Sequence, residues 1–280
     1  MEKPDLFLIT GTSTGFGSGL VLQLNAQGRK VIATARNVEK IRDFEQLEHM
    51  SILKLDISSS QEEVARIVQG AIKIHGYVTH LMNNAAYGNN FKQIIGYFKV
   101  TDAILPHFRT RKEGDKFISN IIIDRNNYCP VYSFYCATKF AIKATFEVLK
   151  SETQHLGNKV LLIKPEYFQT NLLQAETVIQ KPTNRIADYA PIKNALGKVI
   201  QGKHGTQDGD PKVGSQRIIG LMTNIGFTKE IAHGNVPVRV ALVLMLTNVL
   251  SIRLTTSSRM PTSGRIFLAQ ECSGRSCISL

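Results

Sequence analysis

The sequence predicts one doubly wound α/β domain built on a parallel sheet, and three observations predict it. Short apolar runs alternate with amphipathic, helix-length segments as far as residue 165, the pattern of parallel strands joined by crossover helices. A glycine-rich turn lies between the first apolar run and the first helical segment. Of the 280 residues, 43% are hydrophobic and 20% charged, which supplies a large buried core and excludes a disordered chain.

The elements follow in order. Leu6 to Thr10 is a short apolar run and reads as the first strand; Leu20, Val21 and Leu24 then fall at helical spacing, and Gly28 ends that helix. Lys30 to Ala35 is the second strand, Val38 to Leu47 a short helix, and Ile52 to Leu55 a third strand stopping at Asp56. Ser60 with Glu63 forms a capping box, after which Val64, Ile67, Val68, Ala71 and Ile72 make one apolar face up to Gly76. His80 to Met82 is the fourth strand, Phe117 to Ile123 the fifth, and Val160 to Ile163 the sixth, with a helix around Tyr135 to Leu149. Residues 171–235 are richer in Gly, Asn and Lys and read as a helix-and-loop excursion over the substrate side of a domain spanning 1–240. Residues 241–280 carry Arg253, Arg259, Arg265 and Arg275 against the single acid Glu271 and read as a divergent, loosely ordered tail.

Charge and composition exclude several functions. The net charge is +12, but lysines and arginines are scattered among acids without a basic stripe, which argues against a nucleic-acid partner. The longest apolar run, Val240 to Ile252, is interrupted by Thr247, Asn248 and Ser251 and is too short to span a bilayer. The first residues lack a signal-peptide core, so a cytoplasmic protein is expected. Cys129, Cys136, Cys272 and Cys277 have no accompanying histidine cluster, so free thiols are expected and a zinc site is not.

The turn Thr10-Gly11-Thr12-Ser13-Thr14-Gly15-Phe16-Gly17 joins the first strand to the first helix. Glycines there let backbone N–H groups approach a pyrophosphate at the helix N-terminus, so this context predicts dinucleotide binding. An acid at the end of the second strand would hydrogen-bond the ribose 2′-hydroxyl of NAD, whereas this chain has Ala35-Arg36. Arg36 can pair with a 2′-phosphate, which favours NADP.

Tyr135-Cys136-Ala137-Thr138-Lys139 sets a phenol and an ammonium one turn apart on a helix. A neighbouring ammonium favours the phenolate and so a proton exchange near neutral pH. Together with Gly11, Gly15, Gly17, Asp56 and Asn83-Asn84-Ala85-Ala86, this pair resembles the short-chain dehydrogenase/reductase family, in order and spacing, from Lys3 to about Val240. The resemblance implies a Rossmann-like single domain and a hydride transfer between nicotinamide and a carbonyl or secondary alcohol. It implies Tyr135 as acid/base, Lys139 as the group that holds the nicotinamide ribose and acidifies Tyr135, Asp56 on the adenine side, and Asn84 with Ala85 beside the cofactor. Ser13, Thr14 and Phe16 complete the glycine loop. Pro165 and Thr170 match the loop after the sixth strand, where Thr170 would hold the carboxamide. Asn184 to Tyr189 is similar to microbial, especially fungal, members.

Four departures qualify that resemblance. The family places a serine at the end of the fifth strand, where this chain has Ile122 or Ile123; Ser119 and Ser133 lie nearby at the wrong offset. The segment between Asn84 and Leu105 is short, which would uncover core surface and weaken a homo-oligomer face, and Gln93 is the nearest match to the asparagine of the family's proton relay. Glu166 replaces the glycine after Pro165, and the tail replaces an acidic helical end. Three readings stay open: a reductase acting on a small, lipophilic carbonyl or alcohol (Leu172, Leu173, Val178 and Ile179 are apolar), a catalytically impaired NADP-binding relative, or a damaged product of a misassembled reading frame.

Overall fold

A computed structural model describes residues 3–86, 92–120, 133–165, 168–170, 186–203, 207, 209–223, 239–244 and 250–255. Among them, strands β1 (Leu6–Thr10), β2 (Lys30–Ala35), β3 (Met50–Lys54), β4 (His80–Asn83), β5 (Lys116–Asn120), β6 (Lys159–Pro165), β7 (Arg239–Leu244) and β8 (Leu250–Thr255) form one sheet in the order 3-2-1-4-5-6-7-8. The first seven run parallel and β8 is antiparallel to β7. The sheet therefore crosses Val240, where the charge pattern had suggested the domain ends. The chain order reverses at β1, which pairs with β2 on one side and β4 on the other. That reversal opens a crevice at the strand C-termini, the place where such sheets bind ligands.

Helices cover both faces, which is why the central strands are apolar throughout rather than alternating. All five residues of β1 are buried. Leu6 and Leu8 face one core with α2 (Gln61–His75), α3 (Lys92–Arg111) and α4 (Ser133–Thr153). Phe7 and Ile9 face the other, with α1 (Gly15–Ala26) and a helix that we label α6 (Pro211–Thr223). The intervening helix α5 (Ala190–Lys203) belongs to the excursion.

Local chemistry sets the ends. Ser60 Oγ accepts from the Glu63 N–H at 3.2 Å and Gly76 closes α2 in the left-handed conformation, as the capping pattern predicts. The segment read as a short helix forms nine residues of 3₁₀-helix, Val38–Gln46, after an Asn37 cap. The short stretch before α3 does not strip that helix of its buried face: α3 is 20 residues long and buries Ile94, Tyr97, Val100, Ile104 and Phe108. It also approaches the loop after β3 at Gly96, where a β-carbon would lie 2.7 Å from Ile57 Cδ1 and 2.8 Å from the Ile57 carbonyl oxygen.

The core ranks two substitutions. Phe108 is fully buried and meets the Phe117 ring edge-on at 4.8 Å between centroids, so Phe108→Ala is expected to cost about 3–5 kcal/mol. Ser60→Ala removes one exposed cap and is expected to cost about 1 kcal/mol. Urea unfolding of both variants checks the order; a larger loss for Ser60→Ala would overturn this account of the core.

Candidate active site

The crevice is held by one network of short bonds. Thr10 Oγ1, at the end of β1, accepts from the backbone N–H groups of Asn84 and Ala85, both at 3.0 Å. The Asn84 side chain returns two bonds, its Nδ2 donating to the Thr10 carbonyl at 3.1 Å and the Gly11 carbonyl at 2.9 Å. Two strands that diverge past their last paired residues are thereby tied together, and the glycine turn is fixed against the end of β4.

Gly11 has φ +69°, and a β-carbon there would lie 2.5 Å from Ala85 Cα, so both conformation and space require glycine. Gly17 is required by space alone: a β-carbon would run into the Gly11 carbonyl oxygen and come within 2.6 Å of Asn84 Nδ2. Gly15 faces Thr170, whose Cβ and Cγ2 would stand at an ordinary 3.7 Å from a β-carbon. Ser13 is half-buried and Thr14 is exposed. Thr14 is the N-cap of α1, but its side chain caps no N–H group and the first turn holds no acid. Phe16 is buried edge-on against Phe168, with ring centroids 5.0 Å apart.

At the other side of the crevice, Arg36 is exposed directly after β2. Asp56 follows β3 in a tight turn, where its Oδ1 accepts from Ser58 N–H at 2.9 Å and Ser58 Oγ at 2.7 Å. The Leu55 N–H donates to the Ala35 carbonyl at 3.0 Å, which sets these two positions on neighbouring strand ends. Pro165 closes β6 in register with Leu242.

Tyr135 and Lys139 sit in the first turns of α4. Lys139 is 5% exposed, and its Nζ lies 5.2 Å from the centroid of the Tyr135 ring, within cation–π reach when charged. Nζ donates to Gln93 Oε1 at 3.1 Å. Gln93 is itself 1% exposed, and its Nε2 donates to the Ala85 carbonyl at 3.4 Å and to Tyr97 Oη at 3.2 Å. Ala85, Gln93 and Lys139 thus form an unbroken link from the glycine loop to α4, and the sequence reading had found its members without their connection. A buried amide one helix away from a buried lysine leaves no spacing signal, because the two meet only through the fold.

Burial pushes the Lys139 amine down to about 7. The amine that the Tyr–Lys spacing sets beside the phenol is thus held by burial well below the ordinary lysine range. Ile122, Ile123 and Cys129 lie outside the described residues, as do Glu166, Leu172, Leu173, Val178 and Ile179. Ser119 is on β5, opposite Asn83 and Leu162, and Ser133 is exposed at the start of α4. Cys136 is a free, half-buried thiol. Among the described residues no three His, Cys, Asp or Glu side chains group to hold a metal, and no helix is long and apolar enough to cross a membrane.

The model of the short-chain dehydrogenase family matches residues 5–180. The chain belongs to that family. A relative named 3-ketodihydrosphingosine reductase, from Bacteroides thetaiotaomicron, is 30% identical over 210 residues, covering 67% of this chain and 72% of its own. The human protein named 17-beta-hydroxysteroid dehydrogenase type 6 is 27% identical over 185 residues, which cover 59% of this chain and 57% of that one. Among solved structures, a short-chain dehydrogenase from Streptomyces avermitilis superposes with a TM-score of 0.69 at 25% identity, over 86% of this chain and 89% of its own. Two others share the fold at lower identity, one from Burkholderia phymatum in complex with NAD (TM-score 0.68, 18%, 79% of this chain and 86% of its own) and a metagenomic one in complex with NADP (0.53, 22%, 57% and 81%). The Rossmann-like sheet and the family membership read from the sequence both stand.

The buried lysine makes stability depend on pH in a definite direction. Its folded value of about 7 lies below the unfolded value of roughly 10.4. Between the two, the unfolded chain binds a proton that the native chain does not, so this group's contribution rises with pH across that window and is lost as pH falls to about 7. Lys139→Met removes the effect. The stability difference, wild type minus variant, should increase between pH 7.5 and 9.5 in urea unfolding; parallel curves would show that Lys139 is not buried as described.

Proposed function

We propose that this chain is an NADP(H)-dependent oxidoreductase that interconverts a carbonyl and a secondary alcohol, with Tyr135 exchanging the proton of the substrate oxygen. The observation that carries the reading is the link from Gly11 through Ala85 and Gln93 to Lys139, which joins a dinucleotide loop to a Tyr–Lys pair. The residues present fit a dinucleotide. The helix α1 begins with an uncapped, acid-free first turn behind a side-chain-free surface at Gly11, Gly15 and Gly17, suited to a diphosphate.

In this reading the backbone of Gly11, Ser13, Thr14, Gly15, Phe16 and Gly17 holds the diphosphate. Arg36, where an acid would repel it, receives the 2′-phosphate; Asp56 takes the adenine side, and Asn84 and Ala85 line the centre. Lys139 holds the nicotinamide ribose, and Pro165 with Thr170 the carboxamide end. The bound nicotinamide supplies or accepts the hydride. Tyr135 gives a proton to the substrate oxygen in reduction and takes it back in oxidation, and Lys139, when protonated, lowers the cost of the phenolate that results. The substrate is a small-molecule carbonyl or alcohol of lipophilic character. Two relatives are named 3-ketodihydrosphingosine reductase and 17-beta-hydroxysteroid dehydrogenase type 6, and Phe134, beside Tyr135, is 64% exposed. The exposed Ile95 and Phe98 on α3, with Phe140 and Val148 on α4, support a homo-oligomer.

A second reading has its own observation. Ile122 or Ile123 stands where the family's serine would polarise the substrate oxygen, and losing such a donor costs on the order of 10²–10³ in rate. On that reading the chain binds NADP and turns over poorly or not at all.

Fluorescence titration with NADPH and NADH separates these, since the chain has no tryptophan to interfere. NADPH should bind more tightly, and Arg36→Asp should reverse the preference. Turnover abolished by Tyr135→Phe establishes the enzyme; a silent wild type that gains activity in Ile122→Ser or Ile123→Ser establishes the impaired relative. Binding of neither cofactor would overturn both readings.

A further inference from the structure

We propose that helix α5 and the turn leading into it form a membrane-docking edge, which lays an apolar ridge and a row of lysines on an anionic lipid surface. Three side chains carry the ridge: Ile186 is 62% exposed, Tyr189 59% and Ile192 48%. They stand three residues apart across one 3₁₀ turn, Ala187–Tyr189, that runs directly into α5. Residues i and i+3 eclipse one another in a 3₁₀ turn and are neighbours on an α-helix, so the three line up on one side. The Tyr189 N–H donates to the Ile186 carbonyl at 3.3 Å, which holds the first two in that alignment. In the sequence Leu196, Val199 and Ile200 continue the helical spacing from Ile192.

This ridge has no cover among the described residues. Every described residue of α5 except Gly197, which is half-buried, is exposed. A helix of 14 residues is marginal in water by itself and draws its stability from packing an apolar face. Something outside the sheet and its covering helices therefore completes it.

Charge decides what that is. The helix holds Lys193, Lys198 and Lys203 and no acid, and Lys181 and Arg185 precede it against Asp188 alone. A second copy docking by the same face would bring lysines against lysines, because a two-fold contact sets one patch on its own image. An anionic bilayer supplies the complement along the whole helix: phosphates for the lysines, and the boundary between headgroups and acyl chains for Tyr189 and the isoleucines. At 14 residues α5 is too short to cross the bilayer and lies in its surface. The docking does not depend on the oxidoreductase reading; that reading only adds that the excursion would meet a lipophilic substrate where it is dissolved.

Vesicle sedimentation of the whole protein, without cofactor, tests the proposal on phosphatidylcholine alone and on phosphatidylcholine with about one-third phosphatidylserine. The anionic vesicles should bind at least about tenfold more tightly at low salt, and the preference should vanish at about 1 M salt. Ile186→Ser, Tyr189→Ser and Ile192→Ser combined should weaken binding at least about tenfold. Lys193→Ala with Lys198→Ala should weaken it about twentyfold, on anionic vesicles only. Leu22→Ser removes an apolar residue of α1 that is 48% exposed, as Ile192 is, and should change nothing. Binding to neither vesicle, equal binding to both, or binding unchanged in both sets of variants overturns the proposal, and the lysine variant alone decides it if the triple variant does not fold. A dimer lost in the triple variant while vesicle binding stays intact, measured by analytical ultracentrifugation, would overturn it in favour of a second copy.

Discussion

Everything in the crevice depends on the bonds among Thr10, Asn84 and the two residues that follow them. Parallel strands at a reversal of chain order must part beyond their last paired residues, and parting leaves backbone groups without a ladder partner. The Thr10 hydroxyl and the Asn84 amide take those groups up, four bonds from two side chains. Each is worth about 0.5–1.5 kcal/mol net, and an orphaned buried amide would cost more than it gives. Their larger effect is geometric, since Gly11 and Gly17 can sit so close to Ala85 and Asn84 only while that amide stays in place.

The same network explains why the Tyr135–Lys139 end of the crevice is tied to the glycine loop. Ala85 leaves β4 with its N–H held by Thr10 and its carbonyl turned to Gln93, and Gln93 meets Lys139. A lysine with so little exposure and, among the described residues, no carboxylate partner would ordinarily be a poor choice for a rigid interior. Here it is kept by a neutral acceptor, so its protonation is set by a balance near neutral pH rather than by an ion pair.

The legibility of the sequence followed burial. β1 and β2 match the predicted Leu6–Thr10 and Lys30–Ala35 because their side chains are buried on both faces and form unbroken apolar runs. β3 begins two residues earlier than its apolar core suggests, since this edge strand is only half covered and its start is fixed by the pairing of Met50 with Val31. β8 was not legible: it pairs antiparallel with the neighbouring β7, but the basic, Ser- and Thr-rich composition around it resembles a tail. In the site, Gly11, Gly17, Asn84, Tyr135 and Lys139 were legible because fixed spacing brings out backbone and one-helix relationships. Gln93 was found only as a match to the family's asparagine, and its bond to Lys139, 46 residues away, was invisible to spacing.

Gly96 gives this arrangement its scale. The helix that carries Gln93 lies against Ile57, next to Asp56, with no side chain between them. One helix thereby acts as a ruler between the two ends of the crevice, and its zero mark is an absent methyl group. The spacing between the Asp56 turn and the Lys139 end of the crevice is in that sense inherited from something the chain leaves out.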